Sequence, residues 1–375
     1  MKKKIYVFVD ALGWKQAEKY GFLRDLLPNR RAIQMQFGYS CTAIPTILSG
    51  VTPAVHGHLA FYDYAPSSSP FRKMRYLAPF LRPRGFWRRG RVRAQLSKLV
   101  KRLYGFTGYF QLYGVPIERL PSLDYCEKRD LFAKGGLAPV ANLADTWDAQ
   151  GLRWHISDWR LPEEQNFAVA RDLFAKGAVD RAFVYSAAFD ALQHDAVGND
   201  GVLAPRVAAY AESVKSLYDA LVSAGGDFEL TVFSDHGMTP LRGTEDVQAA
   251  MSRAGLEWGV DCAWVVDSTM ARFWWKRDVK EAAKRALQGF RGHWLTREEM
   301  ERHGVWREDG KFGDDIFLAD PGVQFCPGDM GSKPLNGMHG YDPDDEDSLA
   351  CWLSTAPVPQ NVTRVRDYFA AMTAR

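Results

Sequence analysis

Four short segments of this chain concentrate side chains that bind divalent cations. They read Val9-Asp10; Asp190-Ala191-Leu192-Gln193-His194; Ser234-Asp235-His236-Gly237-Met238; and Gly337-Met338-His339-Gly340-Tyr341-Asp342. Three carboxylates and three imidazoles make two sets of mixed oxygen and nitrogen donors, which suit zinc better than an all-oxygen calcium cage. Asp190 and His194 are one helical turn apart, and Asp235-His236 sits on a glycine turn that lets neighbours share one ion. Each segment alone is weak, because an aspartate after a buried strand more often caps a helix or forms a turn. Their conjunction is what points to a metal centre. The remaining histidines lack such company. His155, His293 and His303 read as structural or solvated, and His56 and His58, flanking Gly57, as shaping a loop.

Between the first two segments runs Tyr39-Ser40-Cys41-Thr42 to Ser49-Gly50, followed by Pro53 and His56-Gly57. Ser40 and Thr42 place two hydroxyls near the start of this segment. A hydroxyl at a helix start lies where backbone N–H groups and the dipole favour an incoming anion. The plainer role for Ser40 is the helix N-cap.

The elements that must hold these groups are legible in the apolar pattern. Ile5–Val9, Ala182–Tyr185 and Leu230–Phe233 are runs of buried-strand type, each followed by an acidic group at Asp10, Asp190 or Asp235. A helical pattern from about Pro205 to Ala224 separates the last two, with Val207, Ala211, Val214, Leu217 and Leu221 three or four apart. Strand, helix, strand with polar groups at carboxyl ends predicts an α/β fold on a mostly parallel sheet, its active site at those ends. Two stretches interrupt it: a basic, aromatic cap insertion over 65–126, and a small αβ insertion over 262–325 with a strand at 271–275, a helix at 279–288 and a strand at 315–318. The catalytic core is then expected over 1–64, 127–261 and 326–375.

At 375 residues with 46% hydrophobic and 25% charged side chains, the chain is globular, and its 32 Gly and 19 Pro show no repeat. The net charge of +3 hides an asymmetry. Arg72 to Arg102 holds twelve Lys or Arg and no acid, leaving 36 basic against 45 acidic residues elsewhere. Interleaved Tyr76, Phe80, Phe86 and Trp87 give that stretch the look of a phosphate-tracking patch, though a solvated surface is the plainer reading. No pattern for sequence-specific nucleic-acid readout accompanies it. Cys41, Cys126, Cys262, Cys326 and Cys351 are odd in number and widely spaced, which argues for reduced thiols. The apolar run after Lys4 stops at Asp10, too short for a signal peptide, and the uncharged stretch Ala32–Tyr62 is too rich in Gly, Pro and His for a membrane span. A soluble, cytoplasmic protein is expected.

The ordered set Asp10, Ser40 through Gly50, Asp190/His194, Asp235/His236 and His339 resembles the alkaline phosphatase superfamily, and within it the type I phosphodiesterase and nucleotide pyrophosphatase branch. Gly50-Val-Thr-Pro53 with His56-Gly57, Ser234-Asp-His-Gly-Met238 and Gly340-Tyr-Asp-Pro343 after His339 carry the likeness. It implies a mostly parallel sheet between helices and two divalent ions, zinc or alternatively manganese. One would be held by Asp10, Asp235, His236 and the nucleophile, the other by Asp190, His194 and His339. The family's nucleophile stands ten residues before the glycine that closes its helix, which from Gly50 selects Ser40 over Thr42 and Cys41. The implied activity is a metal-dependent phosphodiesterase or pyrophosphatase acting through a phosphoseryl intermediate. A phosphomonoesterase or phosphomutase of the same superfamily is the alternative, and a non-catalytic binding protein on this scaffold a third. A sulfatase is disfavoured, since no Cys-x-Pro-x-Arg is present. The chain departs from the branch where an Asn normally follows His-Gly: His56 to Asp63 is shorter and has none. His58, Tyr62 and Tyr64 are the substitutes offered for substrate binding. The basic stretch 72–102 suggests a polyanionic or lipid-linked phosphate ester, or peripheral membrane contact.

Overall fold

In the computed structural model, residues 2–76 and 89–374 are described; Pro79, Phe80, Pro83, Phe86, Trp87 and Arg88 of the basic stretch lie outside them. The chain forms two compact units. The first comprises 1–51, 131–240 and 343–375, the second 52–130 and 241–342. The stretches expected as separate insertions, 65–126 and 262–325, fall in the same unit.

The first unit is built on a six-stranded sheet in the order Asn29–Ile33, Ala350–Ser354, Phe228–Phe233, Lys3–Val9, Arg181–Ser186, Trp154–Ile156. Lys3–Val9 runs parallel to both neighbours, with Val7 opposite Val184 on one side and Val232 on the other. Only Ala350–Ser354 opposes its neighbours. Alternation along the central strand decides what covers each face. Ile5, Val7 and Val9 pack with Phe167 and Phe174 of the helix Glu163–Ala175 and Val207, Val214, Leu217 and Leu221 of the helix Asp200–Ala224. Tyr6 and Phe8 face Ile44, Ile47 and Leu48 of the helix Ser40–Ser49, with Trp147, Tyr368 and Met372. Each such side chain stabilises the fold by about 1.5–3 kcal/mol on burial, so a one-residue slip of this strand would exchange two complete cores.

Three adjacent parallel strands therefore end on one edge of the sheet, at Val9, Ser186 and Phe233. This is why aspartates more than 200 residues apart in sequence can meet. The long helix begins at Asp200 rather than near Pro205, which lies inside it.

The second unit carries a four-stranded antiparallel sheet in the order Cys262–Val266, Met270–Trp275, Asp315–Ala319, Gly292–Trp294. The strands read from sequence at 271–275 and 315–318 are thus present, and the helix expected at 279–288 spans Lys280–Ala286. An aromatic cluster of Tyr62, Phe71, Phe110 and Tyr125 packs on Ala263, Val265 and Trp274 of that sheet. Among the described residues, no helix is long and apolar enough to cross a membrane.

Candidate active site

Asp10 follows the last residue of the central strand, and its N–H donates to Ser186 O at 2.9 Å. The next residue, Ala11, is left-handed at φ 62°, unusual for a residue with a Cβ and a mark of strain held by its surroundings. Two bonds hold it: Ala11 N–H donates to Asp235 Oδ1 at 3.3 Å, and the buried Gln193 amide donates to Ala11 O. The Asp10 turn is thereby tied to Asp235 and to the helix Ala188–Ala196, which carries Asp190 and His194.

Asp235, fully buried, and His236 follow the neighbouring strand. Gly237 is required there, because a Cβ on it would fall 2.1 Å from Asp347 O. The ligand atoms of Asp10, Asp235 and His236 lie within 4.8 Å of one another. His236 Nδ1 is 2.7 Å from Gly237 O. A carbonyl only accepts, so Nδ1 carries the proton and Nε2 presents its lone pair. That lone pair faces Ser40 Oγ at 3.1 Å, Asp235 Oδ2 at 3.3 Å and Asp10 Oδ1 at 3.5 Å. Asp235 Oδ2 is buried with no hydrogen-bond donor on it. Burial, then the charges of Asp235 and Asp190, hold Asp10 well above the usual carboxylate range. Burial also raises Asp235, although His236 and the Ala11 N–H oppose it. Two buried carboxylates that repel one another and an imidazole lone pair converging on one point are a donor set that a divalent cation fits.

The two candidate nucleophiles differ in surroundings. Ser40 is the first residue of its helix and donates to Asp10 Oδ1 at 3.4 Å. The N-cap position expected for Ser40 belongs instead to Tyr39, which leaves the serine hydroxyl free of capping. Thr42 is fully buried; its Oγ1 accepts from Tyr39 N–H at 3.2 Å. The helix closes at Gly50, left-handed at φ 73°.

Asp190 and His194 lie on one helix face, 3.4 Å apart and partly exposed. His339 belongs to the second unit, where it is buried and its carbonyl accepts from Thr269 Oγ1 at 3.3 Å. His58 has a buried Nδ1 without a hydrogen-bond partner, and burial, then Lys311 and Lys128, push its pKa down to about 3, so it stays neutral. Tyr62, the second residue offered for substrate binding, has its ring in the core, and its hydroxyl donates to Gln111 O at 2.8 Å. Tyr64 is half-buried against Trp258 and Trp274.

Sequence reading missed Glu163. Its carboxylate accepts from Ser186 Oγ, from Arg206, and from Tyr210 OH at 2.9 Å and 3.0 Å. It also receives Ala188 N–H at 3.4 Å, which fastens the strand end to the helix that carries Asp190 and His194. The apolar residues of its helix gave no sign of this.

The sequence model of the "Type I phosphodiesterase / nucleotide pyrophosphatase" family matches residues 38–342. No curated protein matches the chain by sequence. Among solved structures, human ectonucleotide pyrophosphatase/phosphodiesterase 5 is similar at TM-score 0.70 and 14% identity, over 99% of this chain and 94% of that one. The murine protein is similar at TM-score 0.67 and 15% identity over the same shares, both alone and as an inactive threonine-to-alanine variant in complex with AMP.

Proposed function

This chain belongs to the type I phosphodiesterase/nucleotide pyrophosphatase family and hydrolyses phosphoric esters, and from that premise we propose that Ser40 is its nucleophile. The observation that carries the reading is the Ser40 hydroxyl, set 3.1 Å from His236 Nε2 and 3.4 Å from Asp10 Oδ1. Asp10, Asp235 and His236 would hold one divalent cation together with Ser40, and Asp190, His194 and His339 a second. The mixed donors support zinc, with manganese as the alternative. When bound, such cations lower the pKa of a hydroxyl and neutralise charge on phosphoryl and leaving oxygens. Ser40 Oγ gives its proton to solvent and attacks phosphorus in line. The bond from phosphorus to the leaving oxygen breaks, and the phosphoryl group remains on Ser40 as an ester. Water then attacks that phosphorus, and the Ser40 oxygen departs and regains a proton. The start of the helix Ser40–Ser49 would favour the negative charge of a phosphoryl group beside Ser40.

The substrate is proposed as a phosphoric diester or pyrophosphate. The murine relative's complex with AMP supports a nucleotide as one group such sites hold, but the segment His56–Asp63 lacks the family's Asn, so no base is specified. The basic stretch Arg72–Arg102 supports an anionic or lipid-linked ester. Five free cysteines support a reducing, cytoplasmic setting.

The test is stripping with a chelator, restoration with Zn²⁺ or Mn²⁺, and acid-quenched mass spectrometry on a chromogenic diester and monoester. Restored diester turnover with phosphate trapped on Ser40 is expected. Full activity in the stripped protein, or a label on Thr42, would overturn the reading.

A further inference from the structure

We propose that the helix Gly90–Leu103 docks on an anionic lipid surface, laying its Leu99–Leu103 edge into the headgroup boundary. The helix is attached to its own unit the wrong way round. Its buried face holds Arg93, Ser97 and Val100. Arg93 donates to Val115 O at 2.6 Å and Leu112 O at 3.4 Å; Ser97 Oγ donates to Arg93 O at 2.8 Å and accepts Leu112 N–H at 3.0 Å. Those polar bonds, with Val100 and Leu96 packed on the aromatic cluster, fix the helix, while Leu99 is 52% exposed and Leu103 71% exposed. Burial of apolar surface would have turned those leucines inward.

The outward side has two flanks. Val92, Leu96, Leu99 and Leu103 recur at spacings of four, three and four, and so share one edge, with Leu99 and Leu103 its exposed end. Arg91, Lys98 and Arg102, all exposed, run along the adjoining edge. The turn Pro70–Tyr76 sits beside the helix end, with the rings of Phe71 and Tyr104 5.3 Å apart. It adds exposed Arg72, Lys73 and Arg75 and a Tyr76 that is 66% exposed. No Asp or Glu stands between Asp63 and Glu118 in the sequence.

The mixture selects the occupant. A second copy of the chain would bring like charges together. A nucleic acid would use the cations and the tyrosine but gives aliphatic side chains nothing to enter. A lipid surface takes both, headgroup phosphates against the cations and acyl chains against the leucines. This inference is independent of the roles proposed for Ser40 and its neighbours.

The experiment is flotation of the full chain with phosphatidylcholine vesicles, with and without phosphatidylserine, at rising salt. Binding to the phosphatidylserine vesicles alone is expected, weakening as salt rises. Leu99→Ser with Leu103→Ser, and separately Lys98→Glu with Arg102→Glu, should each lower the bound fraction about tenfold. Circular dichroism and hydrolysis of a small chromogenic diester should be unchanged in both. If either double variant misfolds, Leu103→Gln alone, at the most exposed position, should still lower binding. Equal binding to both vesicles would overturn the proposal. So would leucine variants that bind as wild type while the charge-reversed variant alone loses vesicles and single-stranded RNA, which would make the face a polyanion surface.

Discussion

Ser40 Oγ lies 3.1 Å from His236 Nε2, and the same ring is fixed from behind by Nδ1 on Gly237 O at 2.7 Å. The tautomer this imposes leaves Nε2 without a proton between two buried carboxylates. Ser40→Ala should therefore lower kcat by at least about 10³-fold, as loss of an attacking group does, with the melting temperature nearly unchanged. Thr42→Ala should behave in the opposite way. Its hydroxyl bonds the helix start and fills a buried site, so the variant should lose roughly 1–2 kcal/mol of stability and keep its turnover. Steady-state kinetics and thermal melts on the pair decide it: an inactive, stable Thr42→Ala beside a normal Ser40→Ala would reverse the assignment.

Metal content should follow the same residues. Asp10→Asn and His236→Ala should lower bound divalent metal and activity together. His303, buried 3.5 Å from Asp342, is a structural contrast. His303→Ala should reduce stability without changing metal per folded chain. Elemental analysis after gel filtration separates these outcomes, and equal metal in Asp10→Asn and wild type would refute the ligand assignment.

The strand-terminal aspartates were legible because each ended an apolar run, and parallel neighbours must bring their carboxyl ends to one edge. The choice between Ser40 and Thr42 rests on a family register; the Ser40 hydroxyl faces Asp10 and His236, and the Thr42 hydroxyl bonds the helix start. Other features had no local signature. Gln193 bonds Ala11 from 182 positions away, and Glu163 joins Ser186 of a strand to Arg206 and Tyr210 of the helix Asp200–Ala224. Tyr62 looked available by type and place, but burial decides what its hydroxyl can reach. The basic helix follows periodicity only in part, since Leu96 of its apolar edge packs on the aromatic cluster while Leu99 and Leu103 stay in solvent.

Glu163 should act on the site through the helix it anchors. Glu163→Gln keeps a planar acceptor but cannot accept from Ser186, Ala188, Arg206 and Tyr210 at once. The partly exposed Arg206 guanidinium and the buried Ser186 and Tyr210 hydroxyls would lose partners, at a cost of roughly 1–3 kcal/mol. Asp190 and His194 would lose fixed positions, so more metal should be needed for half-maximal activity, with KM at saturating metal little changed. A metal titration equal to wild type, alongside a lowered melting temperature, would make Glu163 structural only.

Glu127 sets a pH dependence of stability in the second unit. Burial, with Asp130 adding to it and Lys101 opposing, raises its carboxyl from 4.5 to about 8. The folded state therefore retains a proton that the unfolded chain releases near its ordinary value. Folding is favoured by this group below about pH 4.5, loses stability as pH rises through the interval, and loses no more above about 8. The full change amounts to a few kcal/mol. Urea denaturation of wild type and Glu127→Gln at intervals from pH 5 to 9 measures it, on the order of one unit apart. Wild type should weaken steadily to about pH 8, and Glu127→Gln should be flatter over the same range because the amide has no proton to lose. Parallel curves for the two proteins would show that the Glu127 carboxyl does not titrate in that window.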